Sequence, residues 1–293
     1  MANSIALFKT FVPMLDEVYK AASKTGVLDG APEVARAGAN ANEMIIPMLD
    51  MNGLADYSRN DGYVNGDVTM TNQTVACNYD RGRMFSVDTL DDAETAGLAF
   101  GRLASEFIRT KVAPELDAFR LAQYASAAGI LRANGALAAG DGVINALRAG
   151  TNAMDEDEVP EEDRILFITP TLYGMVDDLD TTKSRKVMER FGSVIQVPKG
   201  RMYSAIVLAD GKTEGQKEGG FSKAEGATDI NFMIVHRAAV IQYQKHIAPK
   251  VITPDQNQTG DAWKFGYRNV GIAKLYKNKL SGVYCHTVAK VTA

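Results

Sequence analysis

The spacing of the apolar residues changes at residue 89, and this change limits the folds that the chain can adopt. From Cys77 to Asp88 the residues alternate as in a β-strand, which places Phe85 and Val87 on one side. From there to Gly129, apolar residues recur at every third or fourth position, which is typical of one face of a long amphipathic helix. We therefore predict a mixed α+β fold in which a strand leads directly into an unusually long helix.

The acidic residues that follow the strand are interpreted as the start of this helix rather than as a catalytic or metal site. Thr89 and Asp92 have the spacing of a capping box, and Asp91, Asp92 and Glu94 favour the positive end of the helix dipole. Pro114 interrupts the helical pattern. Either the helix bends there, or a second helix begins with Pro114 in its first turn.

Residues 43–88 predict a long hairpin with little apolar core of its own. The dipeptides Asp61-Gly62 and Asn65-Gly66 are strong signals for hairpin turns, and Tyr57 and Tyr63 lie close to them. An isolated hairpin is only marginally stable in water. This hairpin should therefore need a partner surface to become ordered.

The first 42 residues are rich in small side chains and predict little packed structure. Phe11, Leu15 and Tyr19 lie at helical spacing, which indicates a short amphipathic helix. The run VLDGAPEVARAGANANE that follows is typical of an extended arm. Arm, hairpin and long helix would each gain stability mainly by contact with other copies of the chain, which indicates an assembly protein.

Short helical and strand-like segments alternate after residue 134, which predicts a separate α/β lobe. RILFIT, residues 164–169, has the composition of a buried strand. Thr169 and Pro170 suit the cap and the first position of a following helix. The chain returns to strand-like alternation from residue 229 to the C-terminus.

The residues that usually carry chemistry are few and scattered. None of the three histidines, His236, His246 and His286, lies at metal-ligand spacing from another His or Cys. Cys285 and His286 are neighbours on a predicted strand, so their side chains should face opposite ways and a nucleophilic dyad is disfavoured. We predict no catalytic residues, no metal site and no cofactor.

Two charged loops resemble binding motifs without matching them. Residues 155–166, DEDEVPEEDRIL, lack the glycine at the sixth position and the final glutamate of a calcium loop. Residues 211–216, GKTEGQ, contain Gly-Lys-Thr but not the glycine loop that precedes it in a phosphate-binding motif. Both are interpreted as solvated loops.

Charge and cysteine content exclude several classes of protein. A net charge of −4 does not indicate a dedicated nucleic-acid binder. From Asn231 onward nine Lys and Arg face two Asp, an asymmetry that suits head-to-tail contact between copies or is ordinary solvated surface. Two cysteines fit a reducing compartment, and the sequence has neither a secretion signal nor a transmembrane-length apolar run.

The order of the segments carries a family resemblance. A hairpin leads into Arg83-Met84-Phe85-Ser86-Val87-Asp88, then Asp91-Asp92-Ala93-Glu94-Thr95, then a helix that closes on Val112-Ala113-Pro114-Glu115-Leu116-Asp117-Ala118-Phe119-Arg120. This order resembles the major capsid proteins of tailed bacteriophages, which have the Hong Kong 97-type fold. Phe167-Ile168-Thr169-Pro170-Thr171-Leu172-Tyr173 resembles the strand and helix of that family's axial lobe.

The resemblance implies a division of the chain into five parts. These are an N-terminal arm (1–42), an extended loop with its flanking strands (43–88), the spine helix of a peripheral domain (89–133), an axial domain (134–228) and peripheral strands (229–293). The implied function is a structural major capsid protein, in the virion, assembled in the host bacterial cytoplasm. Its copies would form the pentamers and hexamers of an icosahedral or prolate shell that packages double-stranded DNA.

The resemblance also implies partners. They are further copies of the chain, a separate scaffolding protein, a portal protein, non-specifically bound double-stranded DNA and, in some shells, a decoration protein, with no membrane involved. A fused scaffolding domain is not expected, because strand-like sequence starts by residue 43. Some relatives cross-link a loop lysine to a neighbour's asparagine, but no lysine lies between Lys24 and Lys111. We therefore expect the shell to be held by non-covalent contacts.

Specific side chains are expected at these contacts. Arg81 and Arg83 share a strand face with Phe85 and are predicted to bind carboxylates of a neighbouring copy. The full set of predicted inter-subunit contact residues is Phe8, Phe11, Tyr57, Arg59, Tyr63, Arg81 and Arg83.

Two alternatives are kept beside the capsid hypothesis. An encapsulin-like compartment shell has the same fold but holds a protein cargo. An unrecognised soluble α/β enzyme would need a convergent polar pocket, which the sequence does not indicate.

Overall fold

A computed structural model describes residues 22–30, 36–37, 43–60, 62–90, 98–179 and 181–291, with only the backbone of 36–37 and 98–102. The expected contact residues Phe8 and Phe11 and the acidic residues Asp91, Asp92 and Glu94 lie outside this part. Among the described residues, no helix is long and apolar enough to cross a membrane.

The predicted hairpin is present. Strand β2 (Glu43–Met51) pairs antiparallel with β3 (Val68–Ala76), and the short β1 (Arg36–Ala37) adds to the other side of β2. A 16-residue tip, residues 52–67, joins the two long strands and contains both predicted turn dipeptides. Only the base of the hairpin has a core, because Ile46 and Val75 pack against Ile241 and Ile272 of the body.

The long helix follows one path with a local change of pitch. Helix α1 (Leu98–Phe107) continues through a π-helical turn (Ile108–Val112) into α2 (Ala113–Ser126). Pro114 lies in the first turn of α2, as one of the two predicted alternatives requires. Its missing N–H and its ring are not compatible with an ordinary α-helical bond at that point, and the wider turn accommodates both.

A three-stranded antiparallel sheet packs against this helix. Its order is β11 (Val240–Ile252), β12 (Ala262–Leu275), β4 (Tyr79–Asp88). Phe85 of β4 meets Phe107 of α1 edge-on at 4.8 Å between ring centroids. The alternation predicted for β4 is therefore confirmed, and its apolar face lies against the long helix.

A second, five-stranded sheet forms the centre of the α/β lobe. Its order is β5 (Leu131–Asn134), β13 (Val283–Thr287), β10 (Ile230–His236), β6 (Arg164–Ile168), β7 (Ser193–Gln196). Helices α3 (Gly140–Glu156), α4 (Pro170–Asp177) and α5 (Thr182–Met188) cover one face. The other face packs towards the long helix. Alternate residues of β6 therefore enter two different cores: Leu166 packs under the three covering helices, and Phe167 packs on the side of the long helix. A separate ribbon of β8 (Ile206–Leu208) and β9 (Phe221–Lys223) lies beside it.

Two strands beyond residue 228 pair with strands of the α/β lobe. Strands β10 and β13 fall in the range 229–293 that was assigned to the peripheral domain. They pair instead with β6 and β5 of the lobe. The physical reason is their composition: both strands are buried almost throughout, and strands apolar on both faces belong inside a sheet that is covered on both sides.

A short part of the expected arm, residues 1–42, packs on the body. Within it, Thr25 and Leu28 are buried, and residues 26–28 form a 3₁₀ turn packed on the body. Leu28 packs into the apolar core beside the long helix, and Asp117 and Arg120 of α2 are buried and take hydrogen-bond partners from this segment.

Candidate assembly surfaces and the groove beside the long helix

The distal half of the hairpin exposes many of its apolar side chains to solvent. The described residues include fourteen large apolar side chains that are exposed, and eight of them lie between residues 49 and 70. They are Leu49, Met51, Leu54, Tyr57, Tyr63, Val64, Val68 and Met70. Exposed apolar side chains are often concentrated in this way at sites of protein–protein contact.

The predicted contact residues of the tip lie on this surface. Tyr63 is 88% exposed, and its ring lies 4.8 Å from that of Tyr57 at a tilt of 57°. Arg59 is exposed between them. The structure therefore brings the two aromatic rings into contact at the tip of the hairpin, where Arg59 also lies.

Arg81 lies elsewhere and has partners within the chain. Its Nε donates to Oε1 of Glu115 at 2.8 Å, and its Nη1 donates to the carbonyl of Ala209 at 2.6 Å. Its Nη2 reaches the carbonyl of Gly220 at 3.3 Å. The strand face that was expected to meet a partner's carboxylates thus faces the chain's own long helix, which supplies Glu115 in their place.

Arg83, two residues further along the same face, also binds within the chain. Its Nη1 donates to the carbonyl of Glu218 at 2.7 Å and its Nη2 to that of Lys217 at 3.0 Å. Unlike Arg81 it is exposed. A contribution of either arginine to contacts between copies stays a prediction.

These two arginines line a groove of about 1110 Å³ between β4, the long helix and residues 209–221. Its floor includes Phe107 and the buried Tyr79, whose hydroxyl donates to Glu115 at 3.1 Å. Burial first, and then the neighbouring Glu115 carboxylate, raises the pKa of Tyr79 well above its usual value. The phenol therefore stays protonated as a hydrogen-bond donor.

The described residues that line the groove include no serine, cysteine or histidine. Cys285 and His286, which were considered as a possible catalytic dyad, lie in the five-stranded sheet instead. Burial raises the pKa of the Cys285 thiol to about 12, so it is not a thiolate near neutral pH. The His286 ring faces the opposite way, stacks on Phe232 at 5.0 Å between centroids and lies 3.0 Å through Nδ1 from the Asn231 amide. Cys285 and His286 therefore form no dyad, as predicted.

The acidic segment 155–166 begins in the last turn of α3, and two of its carboxylates pair with arginines. Asp155 pairs with the buried Arg164 at 2.7 Å and also with Arg190, which in turn pairs with Glu161. Among the described residues, no group of three or more His, Cys, Asp or Glu side chains is placed to hold a metal ion. The segment was predicted to be solvated, and the structure shows that two of its acidic residues neutralise arginine side chains of the lobe.

No family model matches the sequence, and no curated protein matches it either. Solved structures do match. The capsid structure of the cyanophage P-SCSP1u has a TM-score of 0.57 and 12% identity, covering 90% of this chain and 87% of that one. The capsid of the Myoviridae phage XM1 has a TM-score of 0.56 and 12% identity, covering 91% and 92%. A virus-like particle from Pyrococcus furiosus has a TM-score of 0.62 and 11% identity, covering 95% and 98%.

These likenesses extend over nearly the full length of both chains in each pair. They confirm the predicted fold class: this chain has the fold of tailed-phage capsid subunits. At 11–12% identity they show the fold alone.

Proposed function

We propose that the chain is a structural shell subunit, not an enzyme, and that its copies form the pentamers and hexamers of an icosahedral or prolate capsid in the virion. The observation that carries this proposal is the apolar distal half of the hairpin, residues 49–70. Its eight exposed apolar side chains have a cost in water that contact with another copy would remove. The capsid fold of the structural neighbours supports the same function.

We further propose that the shell is held by non-covalent contacts. The hairpin, from Glu43 to Ala76, contains no lysine, so it cannot supply the amine of an isopeptide bond. Its contacts would consist of an apolar centre around Leu54, Tyr63 and Val64, surrounded by charged residues such as Arg59. This arrangement is that of a protein–protein interface, with the aromatic residues as its energetic centre.

The proposed axial and peripheral domains follow the two sheets of the structure. The five-stranded sheet, including β10 and β13, would form the axial domain, and the β11–β12–β4 sheet with the long helix would form the peripheral domain. A separate scaffolding protein, a portal protein, double-stranded DNA held by non-specific contacts and, in some shells, a decoration protein are the proposed partners. Assembly in the cytoplasm of a bacterial host is part of the same proposal.

Polar substitutions at the hairpin tip test the proposal. In the variant Leu54→Ser with Tyr63→Ser, we expect shell formation to be lost while thermal unfolding changes little, because both side chains are already exposed in the single chain. A matched control replaces Val207 and Val288, exposed apolar residues outside the hairpin, by serine. The measurement is sedimentation together with negative-stain microscopy. Normal shells from the tip variant would refute the role of the hairpin.

A compartment shell around a protein cargo is the second candidate, because the Pyrococcus furiosus virus-like particle gives a TM-score of 0.62 over 95% of this chain. The contents of purified particles separate the two functions. Double-stranded DNA supports a phage capsid, and a protein cargo supports a compartment.

A further inference from the structure

Residues 209–220, here called the strap, connect β8 to β9 and form one wall of the groove beside the long helix. We propose that Arg83 is a releasable latch on this strap: it holds the strap against β4, and its release frees the strap without unfolding the lobe beneath. Four observations support the proposal.

The strap is bound by arginine side chains at two separate places. Arg81 donates to the carbonyls of Ala209 and Gly220, which lie at the neck where the strap leaves the β8–β9 ribbon. Arg83 donates to the carbonyls of Lys217 and Glu218, further out. All four acceptors are main-chain oxygens, so the latch depends on the backbone path of the strap.

The two arginines differ in how firmly they are held. The Arg81 side chain is 25% exposed and forms an ion pair with Glu115, whose side chain is only 12% exposed. Arg83 is exposed, and its two strap bonds go to neutral carbonyls. Exposed hydrogen bonds exchange readily with water, so Arg83 can release the strap while Arg81 keeps its neck in place.

The strap is built to move as one piece. Asp210 accepts hydrogen bonds from the amides of Lys212 and Thr213 and from the Thr213 hydroxyl, and these bonds lower its pKa to about 2. The amide of Gly219 donates to the carbonyl of Gln216 at 2.9 Å. Its shape therefore does not depend on Arg83.

Gly219 lies directly against the guanidinium group of Arg83. Its φ of +72° is one that side chains other than glycine rarely adopt, and a Cβ there would lie 2.8 Å from Nη1 of Arg83. Gly215 has a similar φ of +82°, but a Cβ there would meet nothing within 4 Å. A methyl group at position 219 would therefore occupy space that the guanidinium group now fills, and Arg83 would have to shift.

These two glycines provide a matched pair for the experiment. Gly219→Ala and Gly215→Ala introduce the same backbone strain, but only Gly219→Ala also displaces Arg83. Arg83→Met removes the donors and keeps the stem, and Arg268→Met removes an exposed arginine that pairs with Asp80 and no strap residue. Arg83→Lys keeps the charge without the two-pronged geometry. Tryptic cleavage after Lys212 and hydrogen exchange of the strap amides report its release.

We expect Gly219→Ala and Arg83→Met to raise both rates about tenfold, the effect of losing two exposed hydrogen bonds from a charged donor, and Arg83→Lys to give an intermediate value. Gly215→Ala and Arg268→Met should stay within about twofold of the wild type. Exchange in β6 and β10 should not change, because the lobe remains folded. Equal effects of the two glycine variants, or an unchanged strap in Arg83→Met, would overturn the latch. Both measurements are made on the unassembled chain, so their outcome does not depend on shell formation.

Discussion

Replacing Asp117 tests whether the segment around Thr25 is part of the folded body. Asp117 lies on α2 and is fully buried. Its carboxylate accepts five hydrogen bonds, from the Ser23 hydroxyl (2.8 Å), the Lys24 amide (2.8 Å), the Thr25 amide (3.0 Å), the Thr25 hydroxyl (2.7 Å) and Nη1 of Arg201 (3.0 Å). One side chain therefore connects the N-terminal segment, the long helix and the lobe.

The size of the effect follows from what the substitution leaves behind. Asp117→Ala removes the counter-charge of Arg201, whose side chain is 18% exposed, and leaves the Thr25 donors buried. Breaking a buried ion pair by removing one partner costs about 3–5 kcal/mol. Asp117→Asn keeps the shape and one acceptor oxygen, so it should cost about 1.5–3 kcal/mol.

Chemical denaturation followed by circular dichroism and by fluorescence of Trp263, the single tryptophan, measures the change. Asp178→Ala, at an exposed position after α4, is the control and should stay within about 0.5 kcal/mol of the wild type. In the double variant Asp117→Ala with Arg201→Ala, the loss of unfolding free energy should be smaller than the sum of the losses in the two single variants, because the unpaired charge of Arg201 is also removed. An Asp117→Ala variant as stable as the control would refute the reasoning.

Two further sites give opposite or pH-dependent effects, both measured by chemical denaturation. In α3, Gly150→Ala should destabilise the fold by about 1–3 kcal/mol, because its Cβ would lie 2.8 Å from the Tyr284 ring. Gly142→Ala in the same helix would meet nothing within 4 Å and should stabilise the fold by up to about 1 kcal/mol. Equal effects of the two variants would contradict the packing described for α3. Burial lowers the pKa of His286, so the unfolded chain binds its proton first and stability should fall as the pH drops below about 6.5. His286→Gln should reduce this dependence, leaving the part due to His236, whose pKa burial also lowers; an unchanged pH profile would contradict this role.

Sequence periodicity predicted the elements whose burial is one-sided. The alternation in β4 and the helical stripe after it are local patterns, and both appear in the structure at the expected places. The turn dipeptides likewise placed the hairpin tip. These features depend on residues close together in the chain, which is why one sequence is enough to predict them.

Pairing between distant strands could not be predicted in the same way. Strands β10 and β13 are buried on both faces, and their composition indicates burial without saying in which sheet. Their partners β6 and β5 lie more than sixty residues earlier in the chain. For this reason the sequence did not show that these two strands join the sheet of the lobe.

The contacts of the polar residues were the least predictable. Arg81 and Arg83 were placed on the correct strand face, but the sequence did not show that this face lies against Glu115 and the strap carbonyls. Buried Asp117 gave no signal either, because a carboxylate at that position of a helix is usually solvated. The consecutive glycines Gly219 and Gly220 within the strap are a local sequence signal that could have pointed to the latch.

Cryo-electron microscopy of the particles formed by the full chain, expressed with and without candidate scaffolding proteins, tests the central proposal most directly. We predict closed shells built of five-fold and six-fold clusters, in which residues 49–70 of each copy are buried against a neighbouring copy. A chain that forms no shell under any of these conditions, or shells in which this hairpin surface remains exposed to solvent, would contradict the proposal.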